Sequence, residues 1–176
     1  MDRLPHDPKT LRELTEADLR RGARLIIKVQ DELDPQLRMA TPEGDYHIAM
    51  TLSPNAGERR KLFAALSVFM VWRRVSGFTF CSELIEPDCV SCVAVSANER
   101  AFCLSRIQRR PRPWTASNFG AVEWLSERSI APEIVALLPQ APRALTPREV
   151  ADCNGWFGTA GRFPAVHVPS GELRGL

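Results

Sequence analysis

Residues 62–72 read LFAALSVFMVW, eleven residues without a charge and with a single hydroxyl, that of Ser67. A helix repeats every 3.6 residues or so, and a run of this length therefore covers its whole circumference with apolar side chains. It falls well short of the roughly 20 residues that a bilayer-spanning helix takes. What remains is an interior position, against a sheet or between two layers. The flanks agree with a helix over 55–75. Asn55 or Ser53 can cap it, Glu58 sits in its first turn, Arg73 and Arg74 suit its C-terminal end, and Gly77 stops it.

The rest of the chain supplies what that helix packs on. A first helix is expected over 15–33, with Thr15 as cap, Asp18 at its third position, and Leu14 and Leu19 as a hydrophobic staple. Its polar side carries Glu16, Arg20, Arg24, Lys28 and Glu32 at steps of four, which stacks them in one row. A solvated row of ion pairs is the simpler explanation of this spacing; the alternative is a secondary basic ridge for an acidic partner, made by the three cations Arg20, Arg24 and Lys28. Residues 34–45 read as loop. YHIAMTL and FTFCSEL read as strands, and CVSCVAVS-ANER-AFCLSRIQ as a β-hairpin over 89–108.

Two short helices follow, near 132–138 and 147–153. The second is well signposted by Thr146, Pro147 and Glu149 at its start and Asn154-Gly155 at its end. AVHV is a further short strand. Helices and strands mix without regular alternation, which predicts an α+β fold with an antiparallel sheet in one domain over 1–176. Residues 1–13 and 169–176 read as flexible tails.

Composition narrows the function classes. Of 176 residues, 44% are hydrophobic and 25% charged, as in folded globular domains. The net charge of +2 does not call for a polyanionic partner. No signal peptide is visible at the N-terminus, and an odd five cysteines read as reduced thiols of a cytoplasm. The 23 cations comprise 20 arginines and 3 lysines, a bias that points to a GC-rich, bacterial genome and weakens any single arginine as a sign of function.

No residue set assembles into a catalytic or metal site. Cys89 and Cys92 have CxxC spacing, but in a strand their side chains point to opposite faces. A hairpin turn centred on Asn98-Glu99 sets Ala94 opposite Cys103 and leaves Cys92 and Cys103 as diagonal neighbours on one face, with Cys89 on the other. Buried thiols follow, with neither metal nor cofactor. Cys153 and His167 have the order of a nucleophile and base, but Cys153 lies at a helix end where the dipole raises a thiol's pKa. Asp45 and His47 share a strand face, as a surface pair would. Gly155, Gly158 and Gly161 lack the strand and helix of a phosphate loop. An enzyme would need a deep pocket with paired titratable groups, around His47 or His167.

The remaining feature is RIQRRPRPW. Residues 100–122 hold five arginines and no acid, whereas 75–99 hold four acids and no cation. Adjacent acidic and basic strands that neutralise one another explain this pattern most simply. Arg109, Arg110 and Arg112 then fall in an extended loop stiffened by proline, beside Trp114 and near Arg106. The functional reading is a non-catalytic accessory or regulatory protein that docks another protein through this loop, residues 106–114. The alternative is a nucleic-acid-binding factor using the same arginines, with Trp114 stacking on bases. No membrane association is expected.

Overall fold

A computed structural model describes residues 10–111, 114–169 and 171–173. The fold is α+β, with helices on both faces of a curled antiparallel sheet. Among the described residues no helix is long and apolar enough to cross a membrane.

Helix α1 (Leu11–Val29) begins four residues earlier than the sequence suggests. Thr10 is the cap, and with Glu13 it forms a reciprocal capping box. The expected cap, Thr15, is buried and donates its hydroxyl to the carbonyl of Leu11. Both Thr15 and Asp18 satisfy the capping pattern by spacing, but their side chains face the sheet. The helix ends where Gln30 takes a left-handed conformation, so Glu32 is not part of the expected row.

The segment read as loop contains a strand, β1 (Gln36–Thr41), which turns into β2 (Gly44–Ala49). Helix α2 (Ala56–Trp72) is capped by Asn55 as expected, and Arg74, rather than Gly77, supplies the left-handed residue beyond its end. Gly77 instead opens β3 (Gly77–Leu84), which pairs with both β1 and β4 (Cys89–Ser96). β4 continues as the expected hairpin into β5 (Arg100–Pro111), though the register sits two residues from the predicted one. Cys92 faces Cys103 directly and Ala94 faces Ala101. The turn centres on Ala97-Asn98, closed by the Ser96 amide donating to the Glu99 carbonyl at 2.9 Å.

After β6 (Trp114–Phe119) and β7 (Glu123–Trp124), the chain forms α3 (Pro132–Val135), α4 (Pro147–Phe157) and β8 (Val166–Val168). α3 is shorter than expected. α4 has the predicted Thr146 capping box but runs past Asn154-Gly155 to Phe157. The strand order is β6-β5-β4-β3-β1-β2-β8, with β7 beside β5.

Alternation along the strands sorts the core into two layers. Leu37, Met39, Ile48, Phe78 and Val95 face the all-round apolar α2, with Leu66, Phe69 and Met70 against them. The opposite face, carrying Cys81, Val90, Cys92 and Cys103, is covered by Leu19, Ala23 and Ile26 of α1. The sequence places α2 centrally, and that is where it lies. Leu11 and Leu173, expected within tails, are both buried. Residues 10–13, expected in a tail, form the cap and first turn of α1, and residues 1–9, 170 and 174–176 lie outside the described residues.

Candidate functional site

The arginine stretch is an arm of the sheet rather than a loop. The first half of β5 pairs with β4, but residues 107–111 pair only with β6, as a two-stranded hairpin running beyond the end of β4. Pro111 faces Trp114 across the turn, and a register shift follows Gln108. Pro111 stands beside the turn, where a missing amide costs no ladder bond, and so it does not prevent pairing up to it. Arg112 and the side chain of Trp114 lie outside the described residues.

The arginines differ in what holds them. Arg109 donates from Nε to Asp88 at 2.7 Å and from one terminal nitrogen to Glu83 at 2.7 Å and Asp88 at 3.0 Å. It is the ion pair between acidic and basic strands that the charge blocks anticipate, and it fixes the arm's base to the β3–β4 turn. Arg106 is exposed and reaches Glu123 at 3.4 Å. Arg110 is exposed.

The secondary ridge lies beside this arm. Arg20, Arg24 and Ile27 of α1 form one wall of a groove of about 230 Å³, Asn118 and Phe119 of β6 and Val122 form the other, and Leu19 and Ala23 also line it. Arg20 is paired with Glu16 at 2.5 Å, while Arg24 and Lys28 are exposed. Beneath the arm a second hollow of about 500 Å³ is lined by Asp31, Glu32, Glu83 and Asp88, with Arg109 and Ile85. Ile85 is 80% exposed. Basic, acidic and apolar groups thus alternate over one end of the molecule.

A buried polar cluster beneath α1 is the part that sequence reasoning missed. Arg38 of β1 is 6% exposed, paired in register with His47 on one side and Thr79 on the other. Its guanidinium donates to Asp18, to His47 Nε2 at 3.0 Å and to Glu172 at 2.9 Å, and lies 3.7 Å from Asp45. Asp18 also accepts from Thr79 and from Arg21, the latter at 2.6 Å. Asp45 and His47 do share a strand face, but that face is covered. Since Arg38 donates to Nε2, the ring proton of His47 resides on Nδ1. Burial holds His47 below the ordinary histidine value, and Arg38 and Arg21 push it further down against the pull of Asp45 and Asp18.

This is the pairing of titratable groups near His47 that an enzyme would require, but the adjoining cavity is only about 40 Å³. That is room for a few waters at most. The Nε2 lone pair that a general base would use is already taken by Arg38. The cluster therefore clamps α1, the sheet and the C-terminal segment together. A strand reading of Gln36–Thr41 would have found it, because Arg38 then falls on the face that Asp18 meets.

Cys81, Cys92 and Cys103 form a lateral row across β3, β4 and β5. Burial pushes the Cys103 thiol up to about 12 and raises Cys92 as well, so both stay protonated and unreactive. Strand alternation puts Cys89 on the other face. Among the described residues no group of three or more His, Cys, Asp or Glu could hold a metal ion.

Cys153 lies inside α4, not at its end. Its thiol reaches the Ala65 carbonyl at 3.8 Å, and burial pushes it up to about 11. The His167 ring lies tilted against Tyr46, centroids 4.8 Å apart, with Nε2 at 3.1 Å from the Glu43 carbonyl. Gly155, Gly158 and Gly161 belong to the turn that ends α4, where the Gly161 amide donates to Gly158 and that of Arg162 to Gly155. Compared with protein-family models, with curated proteins and with solved structures, the chain has no match.

Proposed function

We propose that this chain is a non-catalytic accessory or regulatory protein that docks an acidic segment of a partner protein between the α1 ridge and the β5–β6 arm. The observation that carries the reading is a groove with one basic wall, flanked by the strand that carries the arm. Arg20 and Arg24 stand on one wall, the arm strand forms the other, and the lining between them is apolar. Apolar side chains supply affinity in such a groove while charges set orientation and partner choice.

The surrounding charge favours protein over nucleic acid. A polyanion is attracted by a continuous basic field, whereas Glu123 faces Arg106, and Asp31, Glu32, Glu83 and Asp88 line the hollow beside the groove. The five free cysteines and the preference for arginine over lysine support a reducing, bacterial cytoplasm as the setting.

The test is affinity capture from a nuclease-treated extract, comparing the unaltered chain with a variant carrying Arg20→Glu, Arg24→Glu and Arg110→Glu. A protein retained by the first and lost from the second is the expected result. Identical retention by both overturns the reading. Exposed Arg106 and Arg110 keep nucleic acid as the second reading. Anisotropy of labelled single-stranded and duplex nucleic acid against salt decides it, since phosphate contacts give a salt slope that becomes shallower when arginines are removed.

A further inference from the structure

The segment Gly171–Leu173 is held in the manner of a bound peptide. The backbone amides of Glu172 and Leu173 both donate to one oxygen of Asp45, at 2.7 and 3.1 Å. The Glu172 carboxylate is met by Arg38 at 2.9 Å and Arg21 at 3.4 Å. Leu173 is 0% exposed, enclosed with Leu14 of α1 and Ala40 of β1. The receiving groups belong to three elements, α1, β1 and β2, and none lies next to the segment in sequence. Each of them recognises a feature that a short peptide turn can carry: two successive amides converging on one acceptor, one carboxylate and one aliphatic side chain.

Apart from these contacts the segment is joined to the fold through a short strand at the sheet edge. It follows β8, which has three paired positions with β2 at the edge of the sheet. Glu172 itself is 68% exposed at its side chain, so the segment lies at the surface while its leucine is inserted. Short terminal strands at a sheet edge open at low free-energy cost compared with the core. Opening here would uncover Asp45, Arg38 and Arg21 together with the Leu14–Ala40 recess, a set already arranged for an acidic-aliphatic pair.

We propose that the cleft between α1 and the β1–β2 hairpin is a peptide-binding site, occupied by the chain's own Gly171–Leu173, that accepts in exchange a partner segment in a turn conformation containing glutamate followed by an aliphatic residue. Asp45 orients the incoming backbone, Arg38 and Arg21 select the carboxylate, and the recess beside Leu14 selects the aliphatic side chain. The site is distinct from the arm groove and does not depend on it.

The probe is a labelled synthetic peptide with the sequence of residues 169–176, followed by anisotropy. Substituting Glu172→Gln and Leu173→Ala in the protein weakens the internal occupant while leaving the receiving groups intact. This variant is expected to bind the peptide about tenfold or more tightly than the unaltered chain does, the scale of one charge-assisted hydrogen bond. The same two changes made in the peptide are expected to abolish binding. A folded variant that takes up no peptide, or that pairs with a second copy instead, overturns the proposal. Should the variant fail to fold, hydrogen exchange on the unaltered chain decides. Excess unlabelled peptide is expected to accelerate exchange of the Glu172 and Leu173 amides, and unchanged exchange overturns the proposal.

Discussion

Replacing Arg38 with methionine would leave the carboxylates of Asp18 and Asp45 buried without their shared cation. Both acids are almost fully enclosed; Asp18 would keep Arg21 and Asp45 its two backbone amides, and breaking a buried pair by removing one partner costs about 3–5 kcal/mol. A fall in unfolding free energy of that size, read by urea unfolding, is the expected result for Arg38→Met, with Arg38→Lys also destabilising because an ammonium cannot fork between Asp18, Glu172 and His47. His47 adds a dependence on pH. Its folded-state pKa lies below the unfolded value near 6.5, so the unfolded chain takes up the proton more readily. The stability tied to neutral His47 is therefore fully present above about pH 6.5 and is lost as pH falls toward the folded value. The groups facing the ring are Arg38 and Arg21, which oppose protonation, and Asp45 and Asp18, which favour it. His47→Gln is expected to lose less stability than the unaltered chain between about pH 7 and pH 5, read by urea unfolding at each pH.

At the scale of elements, two helical glycines carry opposite expectations. A Cβ at Gly22 would lie 2.6 Å from the Cys81 sulfur and 3.0 Å from a Leu33 methyl, whereas one at Gly155 would meet nothing within 4 Å. Gly22→Ala is expected to destabilise by about 1–3 kcal/mol through overpacking between α1 and β3. Gly155→Ala is expected to stabilise by up to about 1 kcal/mol through helix propensity alone. Thermal melts of the two variants check the signs. The arm gives a parallel contrast. Arg109→Ala removes hydrogen bonds to two carboxylates and is expected to cost about 2 kcal/mol, while Arg110→Ala is expected to stay within about 0.5 kcal/mol.

These elements also mark where sequence reading reaches and where it stops. The all-apolar run of α2 and the Thr146-Pro147-Glu149 start of α4 are local signals, and both elements form where they indicate. The strand at Gln36–Thr41 was illegible because Pro35 and Pro42 flank it and Arg38, on the face opposite Leu37 and Met39, reads as solvated; its burial depends on Asp18 and Glu172, which are distant in sequence. The hairpin register shifted by two because Ser96 and Glu99 close a turn of the same length centred one residue earlier than the polar stretch suggests. The arm read as loop because Pro111 and Pro113 punctuate it, yet pairing runs up to Pro111 itself.

At the scale of the whole molecule, one face of the sheet belongs to α2 and its partners, and the other to α1, whose outer side carries the basic ridge. The C-terminal segment reaches α1 at one place and the β5–β6 arm flanks it at another. Of the predicted loop residues, Arg109 turned out to be internal, whereas Arg106 and Arg110 are exposed; nothing in the sequence separated them, because the deciding neighbours, Glu83 and Asp88, are 26 and 21 residues away. Docking between ridge and arm is tested most directly by site-specific photocrosslinking. A photoreactive side chain is placed at Asn118, on the groove wall, and at Arg148 on α4 as a control. The expected result is a discrete protein adduct from Asn118 alone, lost when Arg20 and Arg24 are changed to glutamate. The same adducts from both positions, or adducts to nucleic acid, would contradict it.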